Sequence, residues 1–212
     1  MPRLRQVARA DAPPAAQGWY DFIFGEGIDP VATPGTATGT PGTWWTVMAL
    51  VPDVFEHATA GLLLYRSSER TLDPGLRELG QLRLGWASSS QFVFSQHCKA
   101  ARTDGVPEEQ IAAIGHWQTA DCFSAAERAV LAFTDGLVLQ HGRMDDGVVD
   151  ALKEHLTDEQ VLELAYILGT YLLHAVMSRA LRLEFDDVDD PCVEVPAPDG
   201  DPYLRFGPPA RD

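Results

Sequence analysis

Two side chains nineteen positions apart, Glu78 and His97, are the pair in this sequence best suited to moving a proton. Glu78 lies within LRELGQLRLGW, where Leu79, Leu82 and Trp86 are the natural core residues, and His97 lies within SQFVFSQHCKAA. Ser90, Val93 and His97 stand at i, i+3 and i+7, so on a helix they share one face, which is otherwise small and apolar. That turns the imidazole toward the core side of its helix. A carboxyl group and an imidazole brought together out of water perturb each other's protonation and can transfer a proton near neutral pH. The same pair can equally serve as a buried structural hydrogen bond. Further along, His174 sits in an apolar segment near Tyr171 and Arg179. No His, Asp or Glu cluster has metal-ligand spacing and no glycine-rich loop follows a strand, so neither a metal nor a nucleotide cofactor is expected.

The elements that must position these groups read as helices. From Trp44 onward apolar residues recur three and four apart, with frequent start signals. Pro52 breaks the first segment, which predicts a helix over about 53–65. Asp73-Pro74 supplies a cap and a first-turn proline for a helix ending near Trp86. One of Ser88, Ser89 and Ser90 caps the next, which runs to about Arg102 with Gly105 as its stop. Pro107 opens a short helix through Ile114. Ser124-Ala-Ala-Glu127 and Thr157-Asp-Glu-Gln160 are capping boxes, the first starting a helix to about Leu139, the second the longest one, 158–183. That last helix is apolar around most of its circumference, as befits a core or an oligomer interface. Strand signals are nearly absent, so the expected fold is all-α, an antiparallel helical bundle with short links.

Flanking segments differ in character. Residues 1–43 read as a loose N-terminal arm, an aromatic WYDFIF run and a Gly/Thr/Pro-rich loop; 44–185 form the helical domain; 186–212 are an acidic, proline-rich tail, disordered or laid over a neighbouring subunit. The 212 residues carry 31 acids against 16 Lys and Arg, a net charge of −15, with eight of the acids in 184–201. Such a field repels nucleic acid and anionic membrane surfaces. Three scattered cysteines with no CxxC argue against a disulfide framework. No uncharged apolar run of about eighteen residues and no apolar leader segment is read, so a cytoplasmic protein with no membrane partner is expected.

The spacing Glu78…Ser90…Val93…His97, followed by KAARTDGV and a Pro107-Glu-Glu helix start, resembles the carboxymuconolactone decarboxylase / alkylhydroperoxidase D-like family. FSAAERAVLAFTDGLV (123–138) and LTDEQVLELAYILGTYLLHAVMSRAL (156–181) extend the resemblance to roughly residues 43–183. It implies a homo-oligomer, trimeric or hexameric, although the extra arms suit a dimer. It also implies a cofactor-free, decarboxylase-like lyase acting on a small organic acid or lactone. His97 would be the acid/base, Glu78 would orient it, and Ser90 would offer the substrate a hydrogen bond. Peroxidase members carry CxxC seven and four positions before the histidine, where this chain has Ser90 and Val93. Many decarboxylase-type members have an acidic residue where Val93 stands. Arg83 and Arg102 are the candidate cations for an anionic substrate, and Trp86 and His174 candidate pocket walls. The alternatives are a non-catalytic ligand-binding or assembly protein that kept the scaffold, a hydrolase using Ser90 as nucleophile, and a hydroperoxidase.

Overall fold

The computed structural model describes residues 1–185 and 192–198, and among them all regular structure is helical. They form two compact units, one from 1–68, 177–185 and 195–198, the other from 69–176 and 192–194.

In the first unit, helices α1 (Pro14–Phe24), α2 (Thr43–Met48) and α3 (Pro52–Tyr65) gather aromatic side chains. Trp45 stacks on Trp19 at 5.2 Å and meets Trp44 and Phe55 edge-on. Tyr20 is fully buried and donates its hydroxyl to the Val7 carbonyl at 3.0 Å. The expected loose arm therefore contains a helix, opened by Pro14 at its first position. It buries Tyr20 and Ile23 of the WYDFIF run and leaves Trp19, Phe22 and Phe24 half-buried. The 25–43 loop is pinned rather than merely long. Glu184 accepts the backbone N–H groups of Gly42 (3.0 Å) and Trp44 (2.6 Å), and Thr36 shares hydroxyl hydrogen bonds with Thr38 and Thr40. Gly42 has φ 83°, and a Cβ there would lie 2.2 Å from the Phe24 ring.

In the second unit, α4 (Pro74–Ala87) is the central rod, packed against α5 (Gln91–Thr103) and α7 (Ala125–Leu139). The caps explain the boundaries. Asp73 accepts the Leu76 N–H at 3.0 Å, and Ser90 accepts that of Val93 at 3.4 Å. α5 ends at Gly105 (φ 85°), with Val106 N–H returning to the Ala101 carbonyl. Both expected capping boxes are formed, Ser124 with Glu127 and Thr157 with Gln160. Between α5 and α7 lies α6 (Glu108–Ala113), and between α7 and the last helix lies α8 (Asp146–Lys153), capped by Asp145. The long α9 spans Asp158–Leu181, two residues short of the expected end. By length and composition α9 could cross a membrane; Leu164, Ile167, Leu168, Tyr171 and Ala175 of one face are buried within the protein, and the opposite face is exposed.

Two glycines set how closely α4 can be approached. A Cβ on Gly85 would stand 2.5 Å from the Phe94 nitrogen, and one on Gly80 would press on Leu164 and Leu168 of α9. The residues 192–194 of the tail are laid on their own chain. Cys192 is buried in the core cluster with Phe94 and Cys98, and Glu194 pairs with Arg102 at 2.7 Å. The remainder of the acidic tail, 186–191 and 199–212, lies outside the described residues.

Gly85→Ala forces Cβ against backbone and is expected to lower stability by about 2 kcal/mol or more in urea unfolding. Gly18→Ala, in α1 with no heavy atom within 4 Å of the new methyl, is expected to raise it by about 0.5–1 kcal/mol.

Candidate functional site

α4 and α5 run antiparallel through the short turn at 88–90, with Gly85 level with Phe94 and Glu78 level with His97. The imidazole Nδ1 and the Glu78 Oε2 are 2.7 Å apart, and both side chains are almost wholly buried. The second oxygen of Glu78, Oε1, accepts two hydrogen bonds from the Arg77 guanidinium, at 3.2 and 3.0 Å. Arg77 in turn donates to Asp104 at 2.6 Å, where α5 ends. Burial alone would push the Glu78 carboxyl up. His97 and Arg77 outweigh that and hold it below the usual carboxylate range. An ionised Glu78 fixes the proton of neutral His97 on Nδ1, which leaves Nε2 as the basic nitrogen of the ring. The His97 ring meets the Tyr171 ring edge-on at 4.6 Å, so α9 supplies a third wall.

His174 follows one turn later on α9, 5.8 Å from Tyr171 ring to ring. Burial lowers its pKa to about 4, so it is neutral at pH 7. Val93 is buried one turn before His97 on α5. These four, Glu78, His97, Val93 and His174, are the candidates brought into one neighbourhood.

The others are engaged elsewhere. Ser90 Oγ accepts the Val93 N–H as the N-cap of α5, which uses one lone pair of its hydroxyl and fixes where the helix begins. Arg83 is not a free cation: its guanidinium forks onto Asp135 of α7 (2.6 and 3.1 Å) and donates to the Ile114 carbonyl, tying α4 to α7. Trp86 packs edge-on against Phe94 and close over Gly115, in the core cluster that also holds Cys98. Arg102 pairs with Glu108 and Glu194. Lys99, buried on α5, bonds Ser95 and stands 3.5 Å from Glu194. Cys98 adjoins His97 in sequence, but burial, aided by Glu194, pushes its thiol up to about 12. Among the described residues no three His, Cys, Asp or Glu side chains gather as a metal-binding group.

One residue escaped the sequence reading. Gln81, one turn after Glu78 on α4, has no exposed surface, and neither its Oε1 nor its Nε2 finds a hydrogen-bond partner among the described residues. The available signal was a polar amide at i+3 from a buried carboxylate, between Gly80 and Leu82 in a helix with little solvent-facing surface.

Residues 52–136 match the sequence model of the Carboxymuconolactone decarboxylase family. The uncharacterized protein YdfG of Bacillus subtilis (strain 168) is 25% identical over 121 residues, covering 54% of this chain and 82% of that protein. Among solved structures, an alkylhydroperoxidase AhpD core, an uncharacterized peroxidase-related protein from Ralstonia eutropha JMP134, superposes with a TM-score of 0.64 at 18% identity, over 85% of this chain and 93% of that one. The debrominase Bmp8 superposes with a TM-score of 0.66 at 16% identity, over 94% of both chains. At these identities the structures share the fold. The segment matched by sequence holds Glu78, Ser90, Val93 and His97, so the Glu–His pair lies inside the part of the chain that is similar to the Carboxymuconolactone decarboxylase family, on a fold shared with the alkylhydroperoxidase AhpD core.

Proposed function

We propose that this chain is a cofactor-independent enzyme that transfers a proton at a carbon next to the carbonyl of a small organic acid or lactone. The observation that supports this reading is the 2.7 Å contact between His97 Nδ1 and an ionised, buried Glu78. His97 Nε2 takes the proton, the C–H electron pair passes into the carbonyl as an enolate, and the imidazolium returns the proton to carbon. In the decarboxylating variant His97 enters as the imidazolium, its Nε2 proton drawn from water: the C–C bond breaks, its electron pair passes into the carbonyl as an enolate, CO2 leaves, and the imidazolium protonates the vacated carbon. Glu78 sets the tautomer and stabilises the imidazolium without touching substrate. A thiol route lacks its reagent, because Ser90 and Val93 occupy the two cysteine positions and Cys98 is held as the neutral thiol at pH 7.

We also propose self-association through the outer face of α9. Leu162, Tyr166, Leu173 and Val176 are exposed there at spacings of four, seven and three, with Gly169 between them and open space above it. That is a heptad seam of the kind a second helix from another copy covers.

Solvent deuterium incorporation by unsaturated γ-lactones and their ring-opened acids, followed by proton NMR, tests the chemistry. His97→Ala is expected to lower exchange by about 100-fold or more, and unchanged exchange refutes the role. Glu78→Gln is expected to lower kcat with little effect on KM and to shift the pH profile, because the tautomer and the imidazolium lose their anion. Sedimentation velocity tests the assembly. The native chain is expected to sediment as an oligomer and Leu173→Glu as a smaller species; a monomeric native chain ends the proposal.

A further inference from the structure

We propose that Gln81 is the substrate-recognition residue of this site, and that it selects a neutral carbonyl compound with an adjacent hydroxyl, the hydroxylactone class. The inference rests on the proton-transfer reading above and specifies which substrates that reading admits.

The position of Gln81 follows from helix geometry. It stands at i+3 from Glu78 and i−4 from Gly85, both of which face α5, so its Cβ lies on the same side of α4, one turn from the carboxylate. Its neighbour Gly80 lies against Leu164 and Leu168 of α9, and Tyr171, one turn past Leu168, reaches the His97 ring. Helix geometry therefore places Gln81 on the side of α4 between its α5-facing and α9-facing residues, and the His97 and Tyr171 rings meet between those same two helices.

Its chemistry follows from burial. A primary amide out of water needs a partner for its N–H donors and its carbonyl acceptor, and leaving both unmet is destabilising. Natural chains hold few such groups, and those they hold call for an explanation. Gln110 also has a buried unpartnered Oε1, but its Nε2 donates to Cys122 and Glu127, whereas both amide atoms of Gln81 lack a partner among the described residues. A ligand that accepts from Nε2 through a carbonyl oxygen and donates to Oε1 through a hydroxyl meets both needs at once. That pattern lets one side chain fix the carbonyl whose neighbouring carbon His97 deprotonates.

The choice of a neutral ligand comes from the cations. Arg77 holds Glu78 and Asp104, Arg83 holds Asp135, and Lys99 faces Glu194. Each buried cation of α4 and α5 already faces a carboxylate, so a free acid would bring an extra charge into this interior with no matching partner.

The test uses the full chain labelled with 15N, the Gln81 side-chain amide being assigned by its loss in Gln81→Leu. α-Hydroxy-γ-butyrolactone and its ring-opened anion, 2,4-dihydroxybutyrate, are the probes. The lactone is expected to shift the Gln81 amide resonances and to bind at least about tenfold more weakly to Gln81→Leu and to Gln81→Glu, which lacks the donor. Equal binding by Gln81→Leu, no shift of the Gln81 resonances at saturating lactone, or preference for the anion overturns the proposal. If Gln81→Leu does not fold, the shape-conserving Gln81→Met and the native titration decide. Loss of exchange in His97→Ala is read separately, so the proton-transfer role and the recognition role stand or fall apart.

Discussion

A carboxylate with almost no exposed surface is the constraint around which the second unit is built. Taking Glu78 out of water opposes its charge, and only close, correctly placed donors hold it ionised. The chain supplies them from both directions: Arg77 from the same helix and His97 from the next. Arg77 reaches on to Asp104, so the charge network runs from the middle of α4 to the end of α5. Alternating charges of this kind let an ion sit in a protein interior without neutralising itself. Removing one member leaves the others buried and unmatched, which is why such a network constrains the packing around it as well as the chemistry.

Close packing delivers the geometry. Gly85 lets the backbone of α5 come within van der Waals reach of α4, and Gly80 does the same for α9. A helix pair held farther apart would leave the carboxylate short of the imidazole. The Ser90 cap then fixes where α5 begins, and hence the height of His97 against Glu78. Ser90 thus serves the site through its hydroxyl, as the cap that sets the start of α5.

What was legible in the sequence follows this division between local and distant causes. Caps and stops are local, and Asp73, Ser124, Thr157 and Gly105 all mark the helix ends that their types announced. The Glu78–His97 meeting was legible because two neighbouring helices joined by a short turn have few ways to pack. Arg83 read as an available cation because its partner, Asp135, is 52 positions away and belongs to another helix. The first helix was hidden behind its prolines and glycine, although Pro14 at its start was the available cue. Gln81 was invisible for a different reason: an amide in a helix is ordinary until one knows that it is fully buried and finds no hydrogen-bond partner among the described residues.

Cys98, one residue from the imidazole, carries a consequence of its own. With its thiol held near pKa 12, the nucleophilic form amounts to about one molecule in 10^5 at pH 7. Hydrogen peroxide, alkylating agents and disulfides all react with that form, so the sulfur is nearly inert to them. Packed among Leu79, Phe94 and Cys192, it is spared the oxidation to sulfenic and sulfinic acids that would put a polar group into this core.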